Sequence, residues 1–421
     1  MNDLERRVLD AIDVEGLLQA LCELIAIPSL GGQETAAQEY VAGLMERSGL
    51  AVDVWELDFE RLSQHPAFGV EVEREHGLGV VGVMGENSGG RSLIFNGHVD
   101  VVPPGDEVNW HYPPWQGTVA GGRVYGRGAV DMKGGLCCAL FAARALHKAG
   151  IRLAGRLMIE SVIGEEDGGV GTLAAVLRGY HAQGAVVVEP TELAVVPAQA
   201  GALNFRLVVD GHSAHGCMRQ EGVSAIDKFI PIYQALMALE QERNHQVTDP
   251  LFAGHELPYP LSVGILQAGD WPSSVPERLV CEGRYGAAVG ESVADARRLF
   301  EETVSRVARA DPWLRHHPPQ VEWTGGQFAP ASIPANHPLV EAVSNAYDNA
   351  GGGIARVTGV TYGADMRLLV NEGQTPTVLF GPGDVRHSHR PDEYVSVAEL
   401  VTATRTLALV ALRFCGCEGA S

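Results

Sequence analysis

The chain has 421 residues, 46% of them hydrophobic and 20% charged, and carries a net charge of −21. That length suits two domains with sizeable cores. The acidic balance argues against a nucleic-acid or anionic membrane surface, and no apolar run is long enough to span a bilayer.

The N-terminal stretch "MNDLERRVLDAIDVEGLLQALCELIAIPSL" reads as an amphipathic helix with acids throughout, unlike a signal peptide. A helix is predicted over 35–48, then strands near 51–57, 78–84 and 92–96, then a helix over 133–148. The apolar runs "GRLMIESVI" and "GAVVVEP" are of buried-strand type. This alternation predicts an α/β class with a largely parallel sheet. The middle of the chain differs. "LNFRLVVDG", "PLSVGILQAG", "RLVCEGRYGA" and "PQVEWTG" read as strands, with helices at "GVSAIDKFIPIYQALMALEQE" and "ESVADARRLFEETVSRVARA". Their order, β-α-β-β-α-β, is the ferredoxin-like split motif. The α/β pattern then resumes with "PLVEAVSNAYDNAG", "TPTVLFGPGD" and a last helix over 396–413. One domain, 201–325, is therefore expected as an insertion in another formed by 1–200 and 326–421. The seven cysteines are scattered without a Cys-x-x-Cys pair, which predicts a reduced, cytoplasmic protein.

The chemistry gathers at strand ends. "LIFNGHVDVVPPG" puts His98 and Asp100 just after a short apolar strand. The His-x-Asp spacing lets a carboxylate orient an imidazole, although a surface turn reads the same way. "VYGRGAVDMKGGL" puts Asp131 in a glycine-dense turn before a helix, where a helix N-cap is the competing use. The third glycine of a dinucleotide loop is missing after Gly126 and Gly128, and Lys133 lacks phosphate-loop spacing. "ESVIGEEDGG" delivers Glu165 and Glu166 into a turn, "VVVEPTE" adds Glu189, and "GPGDVRHSHRPDEYV" adds His387 and His389. Imidazoles and carboxylates without cysteine suit a nitrogen- and oxygen-ligated metal. Five ligands and a spare carboxylate exceed the needs of one zinc, and two metals bridged by a carboxylate account for the surplus. His65, His76, His181, His245, His255, His316 and His317 lie outside these motifs, and His111 falls in a rim loop.

The motifs "GHVDVVP", "YGRGAVDMKGG", "GEEDGG", "EPT", "GHSAHG" and "FGPGD…SHRPDEYV" together resemble the M20 metallopeptidase and deacylase family, most closely its acetylornithine deacetylase and succinyl-diaminopimelate desuccinylase-like subgroup. The resemblance implies a zinc-exopeptidase-like catalytic domain carrying an inserted lid and dimerisation domain. It implies that Asp131 bridges two zinc ions, for which cobalt or manganese can substitute. His98 and Glu189 complete one site, and Glu166 and His389 the other. His389 is chosen over His387 because "HRPDEY" starts there. Glu165 is then the general base and acid, Asp100 orients His98, and the Asp131–Met132 peptide is cis. His215 of "GHSAHG" polarises the substrate carbonyl across a homodimer held through 201–325. Ser273 stands where many relatives carry asparagine, Arg284 is a carboxylate clamp, and "TYGADMRLL" offers Asp365 and Arg367 for substrate.

The expected activity is hydrolysis of a linear amide in a small N-acyl substrate. The alternatives are a di- or aminopeptidase, a deformylase acting on an N-formyl amine, or an inactive metal-binding homologue. Glu165 argues against the last, since a protein without turnover has no use for the base.

Overall fold

The computed structural model describes residues 1–86 and 88–418. The chain forms two compact units. The first comprises Met1–Pro197, Ser332–Thr358 and the chain from Ala364 onward; the second comprises Ala198–Ala331 and Gly359–Gly363.

A nine-stranded mixed sheet organises the first unit. Its centre is parallel: Leu157–Val162 pairs with Leu93–His98, which pairs with Ala185–Val187, which pairs with Thr377–Leu379. Antiparallel strands Leu78–Met84 and Ala51–Glu56 extend one side. The central strands are buried along their whole length. This matches continuous apolar runs rather than alternating ones, because both faces are covered. The helices Gly134–Lys148 and Val397–Cys415 are largely buried. Gly135 permits one close helix-to-strand contact, since a Cβ there would lie 2.0 Å from the Val188 carbonyl oxygen. Parallel pairing has a functional consequence: the carboxyl ends of four strands share one edge of the sheet.

Two local features differ from the sequence reading. The N-terminal stretch is two helices, Asp3–Asp10 and Val14–Ile25. Asp13 breaks it by capping the second helix, accepting from the Gly16 amide at 2.9 Å. A small sheet of Thr118–Ala120, Arg123–Tyr125 and Tyr394–Ser396 was not predicted. Its strands are three residues each, and one partner is remote in sequence.

The second unit has a four-stranded antiparallel sheet, ordered Leu261–Ala268, Arg278–Ala287, Gly201–Asp210, Gln320–Phe328. With helices Ala225–His245 and Val293–Ala310 between the strands, this is the ferredoxin-like order. Leu203, Phe205, Leu207 and Val209 alternate into the core. Phe229, Ile232 and Leu236 meet them at helical spacing. The segment Gly359–Gly363 belongs to this unit, and two of its carbonyls accept from side chains of the unit. His255 Nε2 lies 2.8 Å from the Gly359 oxygen, and Arg284 Nη2 donates to Thr361 at 2.6 Å.

Candidate metal centre

Seven sequence-selected residues converge in the first unit. His98 ends its strand almost fully buried, with Nδ1 2.9 Å from the Asp100 carbonyl oxygen. A carbonyl can only accept, so Nδ1 donates and Nε2 faces Asp131 Oδ1 at 3.2 Å. The other oxygen of Asp131 lies 3.4 Å from His389 Nε2. His389 Nε2 is also 3.0 Å from Glu166 Oε1. Ligand atoms of His98, Asp131 and Glu166 lie within 4.8 Å of one another, as do those of His98, Glu165 and Glu189. One carboxylate thus divides its two oxygens between two imidazoles. The Asp131–Met132 peptide is cis.

The electrostatics fit a cation site. Burial drives the Glu165 carboxyl well above its ordinary range, and the charge of Glu189 adds to this. Burial does the same to Glu189, reinforced by Asp131. Glu166 is raised by burial and by Asp131. Burial opposes ionisation of Asp131, but hydrogen bonds from His389 and His98 hold it far below the carboxylate range. Its bonds to Asp131 and Glu166 push His389 up to about 10. So many acids crowded together require compensating positive charge. Divalent ions would supply it, and the all-nitrogen-and-oxygen donor set suits them.

Asp100 lies beside His98. It meets the His98 ring through its main-chain carbonyl, while its carboxylate Oδ1 stays 3.7 Å away. Oδ2 accepts the Glu166 amide at 3.0 Å instead. The structure also separates the two late histidines. His387 Nε2 pairs with the Tyr394 hydroxyl at 2.9 Å, leaving His389 to meet the acids. Asp365 and Arg367, expected as substrate contacts, are buried against the turn at Gly168 and Gly169. Thr172 donates to Asp365 at 2.6 Å, and Arg367 Nη2 donates to the Gly168 carbonyl at 2.7 Å. His215, Ser273 and Arg284 belong to the second unit. His215 and Ser273 are exposed. The Gly216 amide donates to the Ser273 carbonyl at 2.6 Å, which ties their loops together. Arg284 is bound to Thr361, and burial lowers its pKa.

Sequence reasoning missed the residues supporting this centre. Glu393 accepts from the amides of Val130 and Asp131 at 3.0 and 3.3 Å, and Arg127 pairs with it at 2.5 Å. Its place in "RPDEYV" was visible, but nothing in the sequence tied it to Asp131. Glu160, mid-strand, accepts from Asn96 Nδ2 at 2.9 Å. Its other oxygen has no hydrogen-bond partner among the described residues. Burial raises Glu160 to about 8, and the Asn96 bond offsets this only in part. The folded state therefore holds a proton that the unfolded chain loses near 4.5. The stability Glu160 contributes is complete below that pH and is lost as pH rises through 8. Glu160→Gln should match wild type near pH 5 and melt at least ~5 °C higher at pH 9. Thermal melts at the two pH values check this, and an equal offset at both would contradict it.

Comparison with known proteins agrees with this architecture. The sequence profile of Peptidase family M20/M25/M40 matches residues 94–413. The chain is 32% identical, over 95% of each protein, to an N-formyl-4-amino-5-aminomethyl-2-methylpyrimidine deformylase of Halalkalibacterium halodurans. It is 30% identical to an acetylornithine deacetylase of Myxococcus xanthus, over 79% of this chain and 82% of that one. An M20 family metallo-carboxypeptidase from Sulfolobus solfataricus shares the fold, with a TM-score of 0.74 at 16% identity over 95% of this chain and 99% of that one. The strand-edge cluster of imidazoles and carboxylates, the mixed sheet that presents it and the profile match lead to one assignment: the chain belongs to peptidase family M20/M25/M40, hydrolases that act on amide bonds.

Proposed function

We propose that the protein is a dinuclear metal-dependent hydrolase that removes a small acyl group from an amine by cleaving a linear amide bond. The observation that carries this reading is the Asp131 carboxylate, whose two oxygens face His98 and His389 separately. Asp131 would bridge two ions, most simply zinc, with His98 and Glu189 on one and Glu166 and His389 on the other. Bound there, the metals supply Lewis acidity that makes water acidic and polarises the amide carbonyl. Glu165 takes a proton from the attacking water. It then gives that proton to the leaving nitrogen, which departs as the amine. Asp100 anchors the Glu166 amide and, through its carbonyl, the His98 ring. Glu393 holds the backbone of Asp131.

The relatives' names support this substrate class, one a deformylase of an N-formyl aminopyrimidine and one an acetylornithine deacetylase. Both act on short acyl groups. The higher coverage of the deformylase favours an N-formyl heteroaromatic amine over an N-acetyl amino acid. A chelator-stripped sample should be inactive and recover with added zinc, cobalt or manganese. The reloaded enzyme should prefer N-formyl and N-acetyl amines to dipeptides in kcat/KM. Activity that survives chelation removes the metal reading, and a dipeptide preference makes the protein a peptidase. Bound metal without turnover on a broad amide panel would instead mark a binding protein.

A homodimer through the second unit is part of this proposal. The edge strand Leu261–Ala268 exposes Ile265 and Leu266, and the helix Ala225–His245 exposes Ile226, Ile230 and Tyr233. An open apolar sheet edge invites pairing with a second copy. Light scattering at the mass of one chain would refute it. Among the described residues no helix is long and apolar enough to cross a membrane. The seven cysteines are unpaired, which suits the cytoplasm.

A further inference from the structure

The turn carrying Glu165 and Glu166 is gripped from outside by a segment with no regular secondary structure. Between the short helix Phe59–Leu62 and the strand Leu78–Met84, the chain passes over residues 165–169. The Glu71 amide donates to the Asp167 carbonyl at 3.1 Å, and the Val72 amide to Asp167 Oδ2 at 2.8 Å. Gly168 has φ +142°, and a Cβ on it would lie 2.2 Å from the Gly69 carbonyl oxygen. Only glycine admits so close a crossing.

Arg74 closes this strap. Its side chain is wholly buried. Nη1 donates to Asp167 Oδ2 at 2.7 Å. Nε and Nη2 both donate to Glu34 Oε1, at 3.0 and 2.7 Å. Glu34 stands at the start of the helix Thr35–Arg47 and is itself buried. The guanidinium therefore ties a framework helix to the residue that directly follows the two catalytic carboxylates. A buried ion triad is a poor way to gain stability, since apolar side chains of like volume do as well or better. What a rigid planar fork provides is direction. Asp100 fixes the same turn from the other side through the Glu166 amide.

We propose that Arg74 is a positioning residue, which through Asp167 keeps Glu165 and Glu166 pointing to their separate tasks. This rests on the hydrolytic roles proposed above for those two carboxylates. Arg74→Lys keeps the charge and loses the fork. In the metal-loaded enzyme, kcat should fall at least ~30-fold with KM changed less than ~3-fold, as expected for misplaced reacting groups. Hydrogen–deuterium exchange should quicken in the peptide spanning 160–172 and stay unchanged in the helix Val397–Cys415. Asp167→Asn, which leaves the Arg74–Glu34 pair intact, should show the same pattern and decides the matter if Arg74→Lys does not fold. The double variant should lose no more than the worse single one, because both act through one contact. Additive losses, unchanged exchange at 160–172, or exchange that quickens equally everywhere would each overturn the proposal. If the wild type neither binds metal nor cleaves amides, the hydrolase reading fails. The exchange measurement still decides the clamp.

Discussion

Metal-loaded Glu165→Gln is expected to retain its metal and lose turnover by about 10²- to 10⁴-fold, the range a lost proton shuttle costs. The substitution nearly preserves volume and removes only the capacity to take up and return a proton. The geometry makes it a sharp test. Glu165 Oε2 lies 4.0 Å from His98 Nε2, and the residue also sits within ligand distance of a His98–Glu189 group. It could therefore bind a metal instead of moving a proton. Metal analysis by mass spectrometry alongside kcat separates the two roles. Unchanged metal with lost turnover identifies the base. Metal lost in proportion to turnover identifies a ligand and transfers the proton work elsewhere. Glu166→Ala supplies the contrast: it should weaken metal binding first.

Asp131→Ala should do what no other single change does, and empty both sites together. Each of its oxygens faces a different imidazole, so removing it leaves two half-built sites rather than one. Metal content should drop from about two ions per chain to well under one, with kcat/KM down more than ~10²-fold, beyond what outer-shell losses cost. Titration with a chromogenic chelator reads both ions. Retention of one tightly held ion would show that Asp131 serves a single site. His389→Ala should remove only its own side, since His98, Glu189 and Asp131 would remain.

Much of this was legible in the sequence for a simple reason. In a parallel sheet, chemistry collects where strands end, and strand ends can be read from apolar runs that stop at polar residues. His98, Glu165 and Glu189 each close or closely follow such a run. The α/β class and the β-α-β-β-α-β order were visible from periodicity alone, and the sheets follow them. Boundaries were less legible. Asp13 looked like one more acid on an amphipathic face until its side chain was seen capping a new helix. Gly359–Gly363 was placed by tertiary contacts, among them its bonds to His255 and Arg284.

By itself the sequence determined the fold class and the order of the main elements, and it singled out imidazoles and carboxylates as candidate metal ligands, because these depend on local pattern and chemical type. Only the tertiary structure decided which atoms meet. It turned His387 to the Tyr394 hydroxyl and gave the Asp100 carboxylate to the Glu166 amide. It brought Glu34, Arg74 and Asp167 into one buried triad and put Glu393 under Asp131. Most such pairings join residues far apart in the chain. Their distances depend on packing and on the need to satisfy every buried charge, which no local pattern encodes.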